Sequence, residues 1–232
     1  MSELNCVELK LKEIYDAWDL GNELEKNPEY SAMFRMGFPD DFINSKKPLV
    51  MYVGQECRDC NSIKTQEWIR KFQTVQMKKE HVEGFNEGVL ASPFWNFYRR
   101  IADKGYNVLW NNLDKFHQLK ERKQVLISED NAEKISAQYE EDNKSVLQRE
   151  IELIKPDIVL LIIGPKWKYI RSFCSAFGIS DLAMMKKFKP TKSQPVSDIT
   201  DILSIPDTKV LWTYHPAYLN RINKYSDVLE VF

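Results

Sequence analysis

Six consecutive apolar residues, Ile158 to Ile163, stand between Lys155-Pro156-Asp157 and Gly164-Pro165. So short a run between helix-breaking residues reads as a β-strand, and it is far too short to cross a bilayer. Its side chains are apolar on both faces, so both faces must be covered. That describes an inner strand of a parallel sheet with helices packed on either side.

Three further stretches fit the same sheet. Pro48 to Val53 and Tyr106 to Trp110 each run from apolar residues into polar loops, and Lys209 to Tyr214 stops at His215-Pro216. Pro216 has no N–H for a ladder and disfavours the helical region for the residue before it. Helical patterns separate the strands. Val7, Leu11, Ile14, Tyr15 and Trp18 recur at helical spacing and make residues 1–46 a helical cover. Ser92-Pro93 opens a helix with a capping hydroxyl and a proline at the first helical position. A helix is expected over 132–154, broken near Asn143, and a short one over 218–232. Residues 114–130 read as a charged surface excursion, and 180–207, with four lysines and three prolines, as a basic loop. The expected fold is α/β: three layers, α/β/α, around a central parallel sheet of about four strands. With no repeat, low-complexity tract or linker, residues 1–232 are read as a single domain.

Composition limits the function. The 232 residues are 43% hydrophobic and 29% charged, enough to build a folded core. The net charge of -1 excludes a chain that coats nucleic acid through overall charge, so nucleic-acid contacts must come from a local patch. The N-terminus lacks a basic region followed by an apolar one, and with four cysteines this favours a cytoplasmic setting with reduced thiols. Cys57-x-x-Cys60 has no second pair at ligand spacing, whereas a structural zinc or iron–sulfur site needs about four ligands. No metal or cofactor is therefore expected. His81 and His117 lie among charged residues and read as surface positions.

The polar residues that follow the strands carry the chemistry. Gln55 and Glu56 follow the first strand, Asn111 and Asn112 the second, Lys166 and Trp167 the third, and His215 the fourth. In a parallel sheet these positions share the carboxyl edge, where ligands bind in α/β proteins. Lys166, Lys168 and Arg171 recur over one helical turn and, with Lys186, Lys187 and Lys189, form a candidate phosphate-binding rim.

From about Pro48 to Arg221 this arrangement resembles the uracil-DNA glycosylase superfamily. His215-Pro216-Ala217 after a strand, with Leu219 and Arg221 beyond, is similar to the family's His-Pro-Ser/Ala motif. Ile151 to Trp167, a helix leading through Lys-Pro-Asp and an apolar strand to Gly-Pro-Lys-Trp, looks like its third strand. Gly54-Gln55-Glu56 is similar to the Gly-Gln-Asp that opens the first motif in one branch, and Pro93-Phe94 to a Pro-Phe that supplies a base-stacking ring in another. The resemblance implies an N-glycosylase acting on a flipped uracil or other modified base. Glu56, or Asp59, and His215 would be catalytic; Gln55, Phe94 and Asn111 would hold the base. Lys166, Lys168, Leu219 and Arg221 would contact DNA, with Leu219 as a wedge. DNA is the implied partner, no membrane is involved, and a monomer is expected.

The first motif departs from the family by reading Glu56-Cys57-Arg58-Asp59 in place of Asp-Pro-Tyr-His or Asn-Pro-Gly. Glutamate is longer than aspartate by one C–C bond, about 1.5 Å, and a misplacement of about 1 Å can cost on the order of a hundredfold in rate. Two other readings accompany the glycosylase: a module of the same fold that binds nucleic acid or a nucleobase without cleaving it, and a hydrolase of free nucleosides or nucleotides.

Overall fold

A computed structural model describes residues 3–39, 46–56, 66–78, 92–121, 123–125, 127–138, 142–203 and 205–232. The central sheet has strands β1 (Leu49–Glu56), β2 (Asn107–Asp114), β5 (Ile158–Leu161), β6 (Val196–Asp198) and β7 (Lys209–Thr213), in the order β2-β1-β5-β7-β6. The first four strands in that order are parallel, and β6 runs antiparallel against β7 at the edge. The expected four parallel strands are present, with a fifth strand added. The strand order reverses direction between β1 and β5, and the carboxyl ends of the strands at such a switch point are where ligands bind in open α/β sheets.

Aromatic packing covers one face. Tyr52 on β1 and Trp110 on β2 are register partners. They meet α4 (Pro93–Asp103) through Phe94, Trp95 and Tyr98, and α3 (Gln66–Lys78) through Phe72. The Ser92 hydroxyl accepts from the Trp95 N–H and Pro93 stands in the first turn, as the sequence predicts. On the other face lie α1 (Glu3–Asp16), which with α2 (Asp19–Lys26) forms the N-terminal cover, and α6 (Val146–Ile154). A Ser145–Gln148 capping box starts α6, and left-handed Lys155 followed by Pro156 ends it. The expected 132–154 helix is thus two helices, α5 (Glu129–Ser136) and α6. Buried side chains from both faces of the sheet form one continuous hydrophobic core.

Three local readings change. β1 and β2 run past Val53 and Trp110 to Glu56 and Asp114 because Gly54↔Asn112 and Glu56↔Asp114 pair across the ladder, so tertiary pairing overrides polar composition. The 114–130 excursion begins with buried Asp114, Lys115, Phe116 and His117 before the small β3 (Gln118–Lys120) and β4 (Lys123–Val125) hairpin. The 180–207 loop contains α8 (Leu182–Lys187), β6 and α9 (Thr200–Leu203). The remaining helices are α7 (Trp167–Ala176), α10 (Pro216–Arg221) and α11 (Tyr225–Leu229). No helix among the described residues is long and apolar enough to cross a membrane.

Candidate functional site

Past the last ladder pair of β1 and β5, Gln55 ties the two strands together: its Nε2 donates to the Ile163 carbonyl at 2.7 Å. Gly164 turns the chain after β5 with φ +68, a left-handed conformation suited to glycine. Its missing side chain would lie 3.8 Å from the His215 backbone N and 4.0 Å from Gln55 Nε2, so these three residues share one corner. His215 caps α10: its Nδ1 accepts from the Ala217 N–H at 3.2 Å. That bond puts the proton of the neutral imidazole on Nε2 and makes Nε2 a donor. The His215 and Phe94 rings are 6.1 Å apart, centre to centre.

Phe94 leads back to β1 and β2. A methyl group on Gly54 would lie 2.5 Å from Asn112 Oδ1 and 3.3 Å from the Phe94 ring. Glycine is therefore what lets the Asn112 amide and the ring approach this strand. Asn112 is buried; its Oδ1 accepts from Trp110 Nε1 at 3.0 Å, while Nδ2 has no hydrogen-bond partner among the described residues. A buried amide donor without a partner is uncommon, because losing hydration without a replacement bond costs about 1–3 kcal/mol. Phe94, Asn112 and His215 thus bring together an aromatic face, an amide and an imidazole donor, and Gln55 meets the Gly164 corner beside His215.

Asn111 corrects the sequence reading. Its side chain lies on the opposite face, where Nδ2 donates to Glu150 Oε2 at 2.9 Å and Oδ1 accepts from the Asn112 N–H and from Lys115 Nζ. Successive side chains alternate across a strand, so a one-residue error moves a side chain through the sheet. The alternation was readable: Tyr52, Gly54, Trp110 and Asn112 share a face, and Asn111 does not. Leu219 is fully buried in the core and is no wedge. Lys168 is also buried and paired with Glu56 and Asp114, so it offers nothing to phosphate. Arg171 pairs with Glu129, Asp130 and Glu133. His117, read as a surface residue, is buried beside Glu56. Asp59, Cys57, Cys60 and His81 lie outside the described residues. No group of three or more metal-ligating side chains occurs among the described ones.

Glu56 has a separate environment. Tyr169 donates to its Oε1 at 3.2 Å, and His117 Nδ1 and Lys168 Nζ each approach Oε2 at 3.5 Å. Burial pushes the carboxyl pKa up, but His117 and Lys168 outweigh it and hold Glu56 below the usual range, so it is an anion at neutral pH. Burial dominates at Asp114 and pushes it up to about 7 against the pull of Lys168. A carboxyl raised in the fold stabilises the protein below its unfolded value and loses that contribution as pH rises through the folded one. Denaturation from about pH 5 to about 7 should show falling stability, and Asp114→Asn should remove most of that fall.

A cationic, aromatic surface adjoins the cluster. Lys186 Nζ sits 4.3 Å from the Trp167 ring centre, and the Tyr214 hydroxyl donates to the Pro190 carbonyl at 2.9 Å. Tyr214 and Tyr218 rings are 4.7 Å apart, and Arg221 lies over Tyr218 at 5.8 Å. Lys166, Lys186, Lys187, Lys189, Lys192 and Arg221 are exposed. Phe188 is one of the few exposed large hydrophobic residues among those described. A hollow of about 120 Å³ elsewhere, lined by Ile151, Phe177, Leu203 and Pro206 among others, gathers no comparable set of groups.

These features define an α/β protein with a candidate ligand crevice at the carboxyl edge of a mostly parallel sheet. No family model matches the chain, and no curated protein matches it.

Proposed function

We propose that the protein is a DNA N-glycosylase-like hydrolase that receives a flipped base between Phe94, Asn112 and His215. The observation that carries this reading is the buried Asn112 amide, with its unpartnered Nδ2, beside an aromatic ring and an imidazole donor. A planar base carries carbonyl acceptors at its edge and a π face for stacking, and it satisfies each of these groups. The resemblance of His215-Pro216-Ala217 and Gly54-Gln55-Glu56 to glycosylase motifs supports the same reading.

In the proposed reaction the C1′–N bond breaks and its electron pair leaves with the base. His215 Nε2–H stabilises the developing negative charge on a base oxygen. The Glu56 anion, held behind His117, Lys168 and Tyr169, acts on the growing positive charge of the sugar through its field. Water adds to C1′ and its proton ends on the departing base, giving free base and an abasic sugar. The caging of Glu56 favours a second reading, a module that binds the base without cleaving it.

The deciding experiment measures base release from single- and double-stranded oligonucleotides carrying uracil and other modified bases, with binding measured in parallel. Release supports the glycosylase; binding without release supports the module; neither removes both. Phe94→Ala should weaken binding by roughly 1–3 kcal/mol through lost stacking. The exposed lysines should make binding salt-sensitive, with a slope of roughly -0.7 per neutralised phosphate for single strands and roughly -0.9 for duplex. Lys186→Ala with Lys187→Ala should flatten it, as a titration from low to high salt would show.

A further inference from the structure

We propose that Asp114 and Lys168 are positioning residues for Glu56: one ammonium bridges two carboxylates on neighbouring strands, and the proton carried by Asp114 decides how much of that ammonium remains to neutralise Glu56. The proposal deepens the glycosylase reading and rests on it for its effect on rate.

The geometry is specific. Glu56 and Asp114 are register partners at the carboxyl ends of β1 and β2. Lys168 Nζ, from the first turn of α7, stands 3.5 Å from Glu56 Oε2 and 3.3 Å from Asp114 Oδ2. The cluster is sealed, with side-chain exposure of 6% for Glu56, 1% for Asp114 and 10% for Lys168. Glu56 Oε2, both Asp114 oxygens, His117 Nε2, Lys168 Nζ and Ser172 Oγ lack hydrogen-bond partners among the described residues. The charges are therefore buried together, where a low dielectric screens them little.

Among the described residues, other neighbouring charges are engaged elsewhere. α5, which packs against α7, directs Glu129, Asp130 and Glu133 onto Arg171. Lys115 pairs with Glu150 on the face that carries Asn111. Asp114 is left facing Lys168 and Ser172 from α7 and Glu56 from β1, and Glu56 facing His117, Lys168 and Tyr169.

When Asp114 is neutral, the full charge of Lys168 falls on Glu56. When Asp114 ionises, Lys168 is shared and a second negative charge arrives beside the first. Glu56 then presents more uncompensated charge to a cation in the crevice. The rate of forming a sugar cation should rise as Asp114 loses its proton.

The test uses the full chain labelled with carbon-13 at side-chain carboxyls. In the wild type the Glu56 resonance should move twice with pH, once for its own titration and once near neutrality as Asp114 titrates. Asp114→Asn should abolish the second movement. Lys168→Gln should raise both titrations, and it serves the same purpose if Asp114→Asn does not fold. A second movement that persists in Asp114→Asn, or is missing from the wild type while Asp114 titrates, overturns the coupling. With a cleaved oligonucleotide, wild-type single-turnover rate should rise roughly tenfold through the same step, the equivalent of about one pKa unit of charge interaction. Asp114→Asn should stay flat at the lower level. A cleaving wild type with no such rise overturns the positioning role. If nothing is cleaved, the carbon-13 titration still decides the coupling, and only the glycosylase reading falls.

Discussion

Replacing His215 with alanine should lower single-turnover base release by about 10²–10³ and leave oligonucleotide affinity nearly unchanged. The imidazole is held by the Ala217 N–H, so its orientation is set before substrate arrives. The charge it meets is largest in the transition state. Removing it should therefore act on the chemical step and not on the ground state. Asn112→Ala should behave differently: its amide meets a carbonyl present in the intact base, so affinity and rate should fall together. Single-turnover rates measured beside equilibrium binding separate the two patterns. A His215→Ala protein that cleaves like wild type would remove the leaving-group role.

Lys115→Met should destabilise the fold by about 3–5 kcal/mol, as expected when one partner of a buried ion pair is lost. Lys115 Nζ contacts both Glu150 oxygens, at 2.7 and 2.8 Å, and Asn111 Oδ1. Tyr15 donates to Glu150 at 2.6 Å and accepts from the Met36 N–H at 2.9 Å. The network joins the N-terminal cover to β2 and α6, and its members are buried. Burial lowers Lys115 below the ordinary lysine range, with Glu150 opposing that shift. Adding Glu150→Leu to Lys115→Met should recover part of the loss, because no unpaired charge is then buried. Urea denaturation of the two single variants and the double variant measures this. Additive losses would show that the pair is not the source of the stability.

Much of the sheet could be read from the sequence because its signals are local. The apolar run at Ile158, the proline after His215 and the Ser92-Pro93 helix start each act within a few residues. The expectation that strand ends would gather polar groups also follows from parallel topology alone. Side-chain direction was harder to read. Asn111 and Asn112 are adjacent and chemically identical, and only their alternation along β2 sends one amide to the Glu150 face and the other to the Phe94 face. Buried charge was the least legible. Lys115, His117 and Lys168 look like surface residues because their partners, Glu150 and Glu56, are remote in sequence. Spacing reveals an amphipathic stripe but cannot reveal that an ammonium will meet a carboxylate from another element.

The edge strand β6 has a consequence for substrate reach. Its ladder with β7, the Tyr214–Pro190 bond and a 2.7 Å bond from Thr213 Oγ1 to the Pro195 carbonyl tie the lysine-bearing arm to the strand that ends at His215. Arm and imidazole are thus parts of one ruler, not two modules on a hinge. A strand gripped by Lys186 and Lys187 would present to His215 the nucleotide that lies at the ruler's length from the gripped phosphate. Lengthening the arm between Pro190 and Pro195 would then move the reading frame along the strand while leaving the chemistry at the crevice intact.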